Sequence, residues 1–417
     1  AALPATGNVN EFVVTKNGTA AVYSADGNTA GRTELYVVSF TSPGTTTRIN
    51  TPLTLNRDVI DFVVSPDGTK VVYRADQNAD DVYELYLVDL ASPGVSTKLS
   101  ANLVTDGWVR SDFAFNFDGT RVVYRADQDL AGRTDLYLVD VASPGVSKKV
   151  NPALVSGGNV YSAFSFSPDG TAIAYVADEE TDETLELFAA PVATPGTAQK
   201  LSGHLTAGGN VCRFEFSPDS KRVAYCADQD TNDTLELYTV ALNAPGQSVK
   251  VNPPLVAGGK VMSNYEFGLD SSFIVYTARQ DSATREDLYR VEVAAPGAAT
   301  KLNAPLTTNG NVVVFELSPD GKKVGYMANQ EDVGKHELYE TDFTAPGAAT
   351  KLSAPQAFDG VYAFHYAASG DEVVYVAAQN SDVAEIYRVD LATPAVSTKA
   401  SGTLIVGGEV WDYALAE

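Results

Sequence analysis

Acidic residues recur at a fixed spacing along the chain, and oxygen-rich groups of this kind are what a calcium ion binds. Four sets of three residues share one spacing. Each set begins with an aspartate, has Asp, Asn or Glu two residues after it, and has a carboxylate eight residues after it. These candidate calcium ligands are Asp76, Asn78, Glu84, Asp127, Asp129, Asp135, Asp178, Glu180, Glu186, Asp228, Asp230 and Glu236. The spacing differs from that of the twelve-residue EF-hand loop, so capping of the loop backbone by aspartate is the competing interpretation.

Two cysteines, Cys212 and Cys226, lie seven residues on either side of Asp219, which is the centre of a predicted turn. In a hairpin centred there, the two side chains face each other at a separation that a disulfide bridges after small adjustment. The sequence therefore predicts a disulfide, and a pair of free, buried thiols is the alternative. A disulfide is typical of exported proteins, so we expect a secreted, extracellular or periplasmic location.

The composition limits the classes of function that we expect. The chain has 417 residues and a formal net charge of −24, from 53 acidic and 29 basic residues. Such a surface repels nucleic acid, and no apolar run is long enough for a transmembrane helix, so we expect neither nucleic-acid binding nor membrane insertion. The repeats show no nucleophile–base pair, cofactor loop or set of metal-ligating histidines. We therefore expect no enzyme and no cofactor apart from the candidate calcium, with a carboxylate pair acting on polysaccharide as the remaining catalytic alternative.

The elements that position these residues form a repeat of about fifty residues, present eight times. Its marker is a turn such as Ser65-Pro66-Asp67-Gly68, in which proline fixes φ and glycine takes the left-handed exit. One strand precedes the turn and a second follows it. An acidic loop then leads to a third strand, and a second tight turn leads to a short fourth. We name these strands a, b, c and d. Four antiparallel strands per repeat predict an all-β fold, a single eight-bladed β-propeller domain over residues 1–417.

Strands a, b and c each carry an aromatic residue at a fixed position, as Phe62, Tyr73 and Tyr86 do in the second repeat. This regularity favours packing between blades over a carbohydrate-binding platform. Because the strands alternate in direction, the longer b–c loops and d–a links emerge on one face, where function is expected.

The repeated phrase Phe-x-Phe/Val-Ser-Pro-Asp-Gly-Thr-x-Val-x-Tyr-x-Ala-Asp, followed by Glu-Leu-Tyr-x-Val, resembles the WD40-like repeat of TolB-type propellers. The likeness covers essentially the whole chain and is more specific for fold than for function. The resemblance implies relatives that include periplasmic interaction proteins and the propeller domains of prolyl-oligopeptidase-like enzymes. Those enzymes also have an α/β-hydrolase domain with a Gly-x-Ser-x-Gly motif, which this sequence does not contain.

Residues 404–415 follow the eighth repeat and align with strand a, so the chain has nine a strands for eight blades. The residues of this predicted assembly strand are Val410, Trp411, Tyr413 and Leu415. An apolar strand of this kind would promote aggregation if it stayed unpaired. Three explanations remain open: pairing with another molecule, displacement or extension of the N-terminal strand within one chain, and a longer array of which this chain is a piece.

Together these observations predict a non-enzymatic extracellular or periplasmic scaffold that acts by protein–protein interaction. The expected partner is another protein or a second copy of the chain, with self-assembly into oligomers or fibres through the terminal strand. The alternative is a module that binds calcium or another ligand on the acidic face of b–c loops.

Overall fold

The computed structural model describes residues 8–16, 18–356, 360–379, 383–394 and 396–402, and the regular elements there are all β-strands. These strands form eight antiparallel sheets of four, and within every sheet they are neighbours in chain order. Each sheet corresponds to one sequence repeat. The prediction of an all-β, eight-bladed β-propeller with four-stranded blades is therefore confirmed. The described residues contain no helix that could cross a membrane.

The chain divides into two compact units, of which the first is Ala1–Leu201 and contains blades 1 to 4. Its strands are, in blade 1, β1 (Val9–Val14), β2 (Ala20–Ala25), β3 (Glu34–Ser39) and β4 (Thr46–Arg48); in blade 2, β5 (Val59–Val64), β6 (Lys70–Ala75), β7 (Glu84–Asp89) and β8 (Ser96–Lys98); in blade 3, β9 (Val109–Phe115), β10 (Arg121–Ala126), β11 (Asp135–Asp140) and β12 (Ser147–Lys149); and in blade 4, β13 (Val160–Phe166), β14 (Ala172–Ala177), β15 (Glu186–Pro191) and β16 (Gln199–Lys200).

The second unit is Ser202–Glu417 and contains blades 5 to 8. Its strands are, in blade 5, β17 (Val211–Phe216), β18 (Arg222–Ala227), β19 (Glu236–Ala241) and β20 (Val249–Lys250); in blade 6, β21 (Val261–Phe267), β22 (Phe273–Ala278), β23 (Asp287–Glu292) and β24 (Ala299–Lys301); in blade 7, β25 (Val312–Leu317), β26 (Lys323–Ala328), β27 (Glu337–Asp342) and β28 (Ala349–Lys351); and in blade 8, β29 (Val361–Tyr366), β30 (Glu372–Ala377), β31 (Glu385–Asp390) and β32 (Ser397–Lys399). The single domain over 1–417 remains a prediction. The strand predicted over 404–415, with Val410, Trp411, Tyr413 and Leu415, lies outside the described residues.

The turn between strands a and b is fixed by its own side chains. In blade 2, Ser65 Oγ donates a hydrogen bond to Asp67 Oδ1 at 2.6 Å and accepts one from Lys70 N at 2.9 Å. Gly68 takes φ = 69°, the left-handed conformation that the sequence predicts at this position. Hydrogen bonds from Ser65 and Thr69 lower the pKa of the Asp67 carboxyl to about 2, so it remains ionised and holds the turn at any ordinary pH.

Aromatic rings on strands b and c form the centre of every blade. Tyr73 and Tyr86 are buried and stack with their ring centroids 5.5 Å apart. The equivalent pairs of the eight blades have centroids 5.4 to 5.7 Å apart. Phe62 of strand a packs against Val22 and Leu35 of the preceding blade, so the aromatic positions also join neighbouring blades.

A carboxylate begins strand c in every blade, and in blades 3 and 6 an asparagine that follows strand d donates a hydrogen bond to it. In blade 3, Asn151 Nδ2 donates to Asp135 Oδ1 at 2.8 Å, and Asn151 Oδ1 accepts from Leu136 N at 2.8 Å. All of these groups are buried. Blades 2, 4, 7 and 8 have a serine at this position, and in blades 2 and 7 Ser100 and Ser353 accept the corresponding strand c amide.

We expect Asn151→Ala to lower the free energy of unfolding by about 2 kcal/mol, because it leaves the Leu136 amide and an Asp135 oxygen without a buried partner. Asn151→Ser is the matched control, and its loss should be less than half as large because serine holds the same amide elsewhere in the chain. Urea unfolding followed by circular dichroism measures both. An alanine variant as stable as the wild type would contradict this view of the blade.

Candidate functional site

The first aspartate of each candidate calcium set is buried and holds the backbone around its own loop. Asp76 Oδ1 accepts a hydrogen bond from Asp58 N at 2.8 Å, and its Oδ2 accepts one from Asp81 N at 3.3 Å. The aspartates that likewise accept the amide five residues later are Asp127, Asp178 and Asp228. These contacts are the loop capping that the sequence offered as the competing interpretation.

A lysine of strand d pairs with the strand c acid of each set, and in blades 3 to 5 it also pairs with the second member. In blade 3, Lys149 Nζ is 2.8 Å from Asp129 Oδ2 and 2.9 Å from Asp135 Oδ2. The corresponding groups are Lys200 with Glu180 and Glu186, Lys250 with Asp230 and Glu236, and Lys98 with Glu84. Asn78 also donates a hydrogen bond to Glu84. The ammonium group thus supplies the positive charge that the sequence analysis assigned to calcium.

The calcium interpretation gains no support from this geometry. Across the described ranges, no three His, Cys, Asp or Glu side chains come together in a way that could hold a metal ion. The sequence analysis overlooked the lysine, although it follows the strand c acid by fourteen residues in blades 2 to 5, as in the pairs Glu84–Lys98 and Glu186–Lys200. Calcium binding at the twelve positions therefore stays an untested prediction.

Cys212 and Cys226 are joined by a disulfide, with their Cα atoms 5.5 Å apart. Cys226 of β18 lies opposite Arg213 rather than opposite Cys212, because the register shifts between Val211 and Arg213. Cys212 occupies this bulge. The simple hairpin count from Asp219 therefore misses the extra residue, and the bulge brings the two sulfur atoms together.

The disulfide replaces an ionic clamp that blades 2 and 3 have at the same place. In blade 2, Arg74 Nη2 is 2.7 Å from Asp61 Oδ2 on strand a, and Arg74 Nη1 donates to the Val109 carbonyl of the next blade at 3.5 Å. Blade 3 repeats the clamp with Arg125, Asp112 and the Val160 carbonyl. Cys226 stands at the repeat position of Arg74, so a covalent bond holds strands a and b of blade 5.

Three glutamates and a histidine occupy one repeat position on successive a strands of the second unit. This acidic row consists of Glu215, Glu266, Glu316 and His365. Glu215 Oε1 accepts from Phe267 N at 3.3 Å, and Glu316 Oε1 accepts from Tyr366 N at 3.2 Å, so each glutamate contacts the next blade. His365 Nδ1 is 3.1 Å from Glu316 Oε2. Blades 1 to 4 have Val13, Val63, Ala114 and Ser165 at this position.

Burial raises the pKa of the three glutamates of the acidic row. It raises the pKa of Glu215 to about 7, an effect that the Phe267 amide opposes and the charge of Glu266 reinforces. The pKa of Glu266 is also raised to about 7, by burial and then by the charge of Glu316. Burial raises the pKa of Glu316 as well, against the Tyr366 amide and His365. Carboxyl groups of this kind can both donate and accept hydrogen bonds at neutral pH.

The acidic row is accessible from solvent, since the side chains of Glu215, Glu316 and His365 are 26%, 32% and 57% exposed. Arg213 is the nearest cation, with its Nη2 3.6 Å from Glu215 Oε2. This row is not among the predicted site residues, because the acids that the spacing singles out lie in the b–c loops. The signal that could have found it is the recurrence of glutamate immediately after the strand a aromatic in three successive repeats.

Comparison with solved structures shows that the chain is similar to dipeptidyl peptidase 4 of Porphyromonas gingivalis, with a TM-score of 0.62 and 14% identity over 93% of this chain and 59% of that chain. Weaker likenesses are to a puromycin-hydrolyzing peptidase of Mycobacterium tuberculosis (TM-score 0.47, 13% identity, 94% of this chain and 53% of that chain) and to a structure from a study of two prolyl endopeptidases (TM-score 0.48, 14% identity, 89% and 53%). The chain thus spans between half and three fifths of these proteins, and at such identities the likeness shows the fold alone.

No protein-family model and no curated protein sequence matches the chain. The likeness to TolB-type propellers therefore stays a resemblance, while the β-propeller fold itself is shown.

The prediction of a non-enzymatic scaffold is wrong, and so is the prediction that the chain has no enzymatic role. Self-assembly through the terminal strand stays an untested prediction. A solved structure that resembles it over 93% of its length is a peptidase. The sequence analysis took the lack of a nucleophile–base pair within the repeats as evidence against an enzyme. Blades can belong to an enzyme without holding its reactive groups. The lack of a nucleophile–base pair within the repeats therefore does not distinguish an enzyme from a scaffold.

We expect Lys200→Met to lower the free energy of unfolding by about 3 kcal/mol, because it leaves the buried Glu186 without its cation. Lys221→Met is the matched control. Lys221 is 79% exposed beside Asp219, so its loss should cost less than about 0.5 kcal/mol. Urea unfolding at neutral pH measures both variants, and equal losses would contradict the assigned role of strand d lysine.

We expect Glu266→Gln to stabilise the protein by about 1 kcal/mol at pH 8 and to have no effect near pH 4. The folded-state pKa of about 7 lies above the ordinary 4.5, so the native state holds this proton more tightly than the unfolded chain does. The contribution of Glu266 to stability is therefore full below pH 4.5 and is lost as the pH rises through 7. Urea unfolding of both proteins across this range measures the difference, and a difference that does not change with pH would contradict the raised pKa.

Proposed function

We propose that this chain is the propeller part of a peptide-hydrolysing enzyme, in which it binds the peptide and does not itself cleave it. The observation that carries this proposal is the similarity of fold to Porphyromonas gingivalis dipeptidyl peptidase 4. That protein extends well beyond the matched region, since only 59% of it is covered. The hydrolytic groups are accordingly expected outside the eight blades, in a further domain or in a partner protein.

The acidic row provides the peptide-binding surface in this proposal. Its residues lie on the a strands. Among the strands that the structure describes, each a strand is an edge strand of its sheet. Such an edge presents main-chain groups that an extended peptide can pair with. Val313 and Tyr362 on the same strands are 43% and 49% exposed, so apolar contacts accompany the carboxyl groups.

The carboxyl groups suit a peptide because they can recognise both kinds of main-chain group. With pKa values of about 7, Glu215 and Glu266 are partly protonated at neutral pH. The ionised form accepts hydrogen bonds from peptide N–H groups and amines, and the protonated form donates to carbonyl oxygens. Substitution of one carboxyl by an amide should therefore weaken binding of the peptide without touching the hydrolytic groups.

The disulfide between Cys212 and Cys226 supports an exported location for this enzyme, extracellular or periplasmic. In that setting the ligand is a peptide, and the partner is the domain or protein that hydrolyses it.

The test uses the protein purified from cells that produce it, with its natural partners attached. We expect it to hydrolyse fluorogenic peptides, and we expect the Glu266→Gln/Glu316→Gln variant to raise KM at least fivefold while kcat changes less than twofold. Uniform loss of peptide binding gives this pattern, because these residues act on the substrate's position and not on the reacting bond.

Glu292→Gln is the control, since Glu292 is 47% exposed in an ion pair with Arg290 away from the acidic row. Its KM should match that of the wild type. A preparation without peptide hydrolysis would overturn the proposed function, and an unchanged KM in the double variant would overturn the role of the acidic row.

A further inference from the structure

Blade 3 holds an arginine of its own in a polar pocket beside the b–c loop. Arg110 Nη2 is 2.7 Å from Asp127 Oδ1 and 3.0 Å from Oδ2, and Arg110 Nε donates to Thr134 Oγ1 at 3.2 Å. Asp127 also accepts from Gly132 N at 3.0 Å, and its side chain is 1% exposed. The guanidinium fork therefore fits the carboxylate and the threonine hydroxyl together.

Blade 1 builds the same pocket around Asp26. Both loops read Ala-Gly-Arg-Thr, and Asp26 Oδ2 accepts from Gly31 N at 3.0 Å, as Asp127 does from Gly132. Thr33 Oγ1 is 3.5 Å from Asp26 Oδ1, in the place of Thr134. The pocket is thus preformed by the sequence of the loop.

The arginine is the part that differs in blade 1. Arg110 directly follows the valine that begins strand a of blade 3, and the residue that follows Val9 in blade 1 is Asn10. Asn10 Nδ2 donates to Thr33 Oγ1 at 3.4 Å, which reproduces the contact of Arg110 Nε. A short neutral amide thus replaces the guanidinium that blade 3 provides.

The pocket of blade 1 is also more acidic than that of blade 3. Asp58 Oδ1 accepts from Thr33 N at 2.6 Å, where blade 3 uses the neutral Asn159 to accept from Thr134 N. Glu11 lies beside it, with a pKa raised by burial and then by the charge of Asp61. The neighbouring Arg57 donates to the carbonyl oxygens of residues 76 and 77 in blade 2.

An open cavity of about 650 Å³ lies at this place, within the size range of small-ligand sites. Asn10, Glu11, Asp26, Thr33 and Asp58 line it.

Blade 6 also has a guanidinium–carboxylate pair at this point of the repeat, with the arginine in the place of the aspartate. Arg279 stands at the position of Asp26, Glu286 stands at the position of Thr33, and Arg279 Nη2 is 2.8 Å from Glu286 Oε1. Two blades therefore place a guanidinium–carboxylate pair at this point of the repeat.

We propose that the blade 1 pocket formed by Asn10, Asp26, Thr33 and Asp58 binds the guanidinium group of an arginine side chain in a peptide ligand. The planar guanidinium matches the carboxylate and hydroxyl pair in a way that a lysine ammonium does not. This inference concerns binding alone and holds whether or not the enzyme proposed above hydrolyses peptides.

The test is calorimetric titration of the full chain with N-acetyl-arginine amide. We expect one site, with binding at least tenfold tighter than that of the uncharged isostere N-acetyl-citrulline amide. Asp26→Asn should weaken binding of the arginine probe at least tenfold. Asp89→Asn, at an exposed carboxylate on β7, is the control and should bind as the wild type does.

Two further variants keep the proposal testable if Asp26→Asn does not fold. Asn10→Arg should fill the pocket as Arg110 fills its own, so that the probe no longer binds and the melting temperature rises. Arg110→Ala should open the blade 3 pocket and change the stoichiometry from one to two. The proposal would be overturned if the citrulline probe bound as tightly as the arginine probe. It would also be overturned if a folded Asp26→Asn or Asn10→Arg variant bound the arginine probe as the wild type does, or if the Arg110→Ala variant still bound one probe.

Discussion

A carboxylate at the start of strand c must find a cation and hydrogen-bond donors, because an unpaired buried charge costs several kcal/mol. Each blade meets this demand from its own chain. In blade 2, the Tyr86 hydroxyl donates to Glu84 Oε2 at 2.8 Å, and Lys98 of strand d pairs with the same carboxylate. The ion pair thereby joins strands c and d and fixes the aromatic ring between them. This constraint accounts for the regular spacing of acid, tyrosine and lysine through the repeats.

The same constraint explains how a chain with a net charge of −24 balances the acids of its candidate calcium sets with its own lysines. Burial lowers the pKa of Lys200, but hydrogen bonds and charge from Glu186 and Glu180 raise it by more, so the lysine remains charged between them. Other carboxylates of the chain lie outside this arrangement of strand c acid and strand d cation. The acidic row on blades 5 to 8 and the pocket around Asp26 in blade 1 contain such carboxylates, and neither has a lysine of the chain in its described contacts.

The fold could be predicted from the sequence because its signals are local. Turn residues such as Pro66 and Gly68 and the alternating strands on either side lie within one repeat, and their geometry hardly depends on the rest of the chain. The site was harder to predict. Lys98 meets Glu84 only because strand d folds back on strand c, and Glu215 meets Phe267 only because two blades pack together. Contacts of this kind join residues that periodicity alone does not connect.

The disulfide could be predicted from local signals only in part. Cys212 and Cys226 flank the turn symmetrically, which suggested their proximity, yet the bulge that places them side by side depends on the register of β17 against β18. The proposed part in a peptide-hydrolysing enzyme could not be predicted from the repeats. The proposed peptide-binding edge lies within the eight repeats, whereas the proposed hydrolytic groups are expected outside them.

The measurement that tests this account most directly is a double-mutant cycle on Glu186 and Lys200, with Glu186→Gln, Lys200→Met and the double variant. If the lysine is the structural cation of the acidic loop, the coupling free energy should exceed about 1 kcal/mol, because each single variant leaves a buried group without its partner. A coupling near zero would show that the two side chains act independently, and would contradict the view that the lysine is the structural cation of the acidic loop.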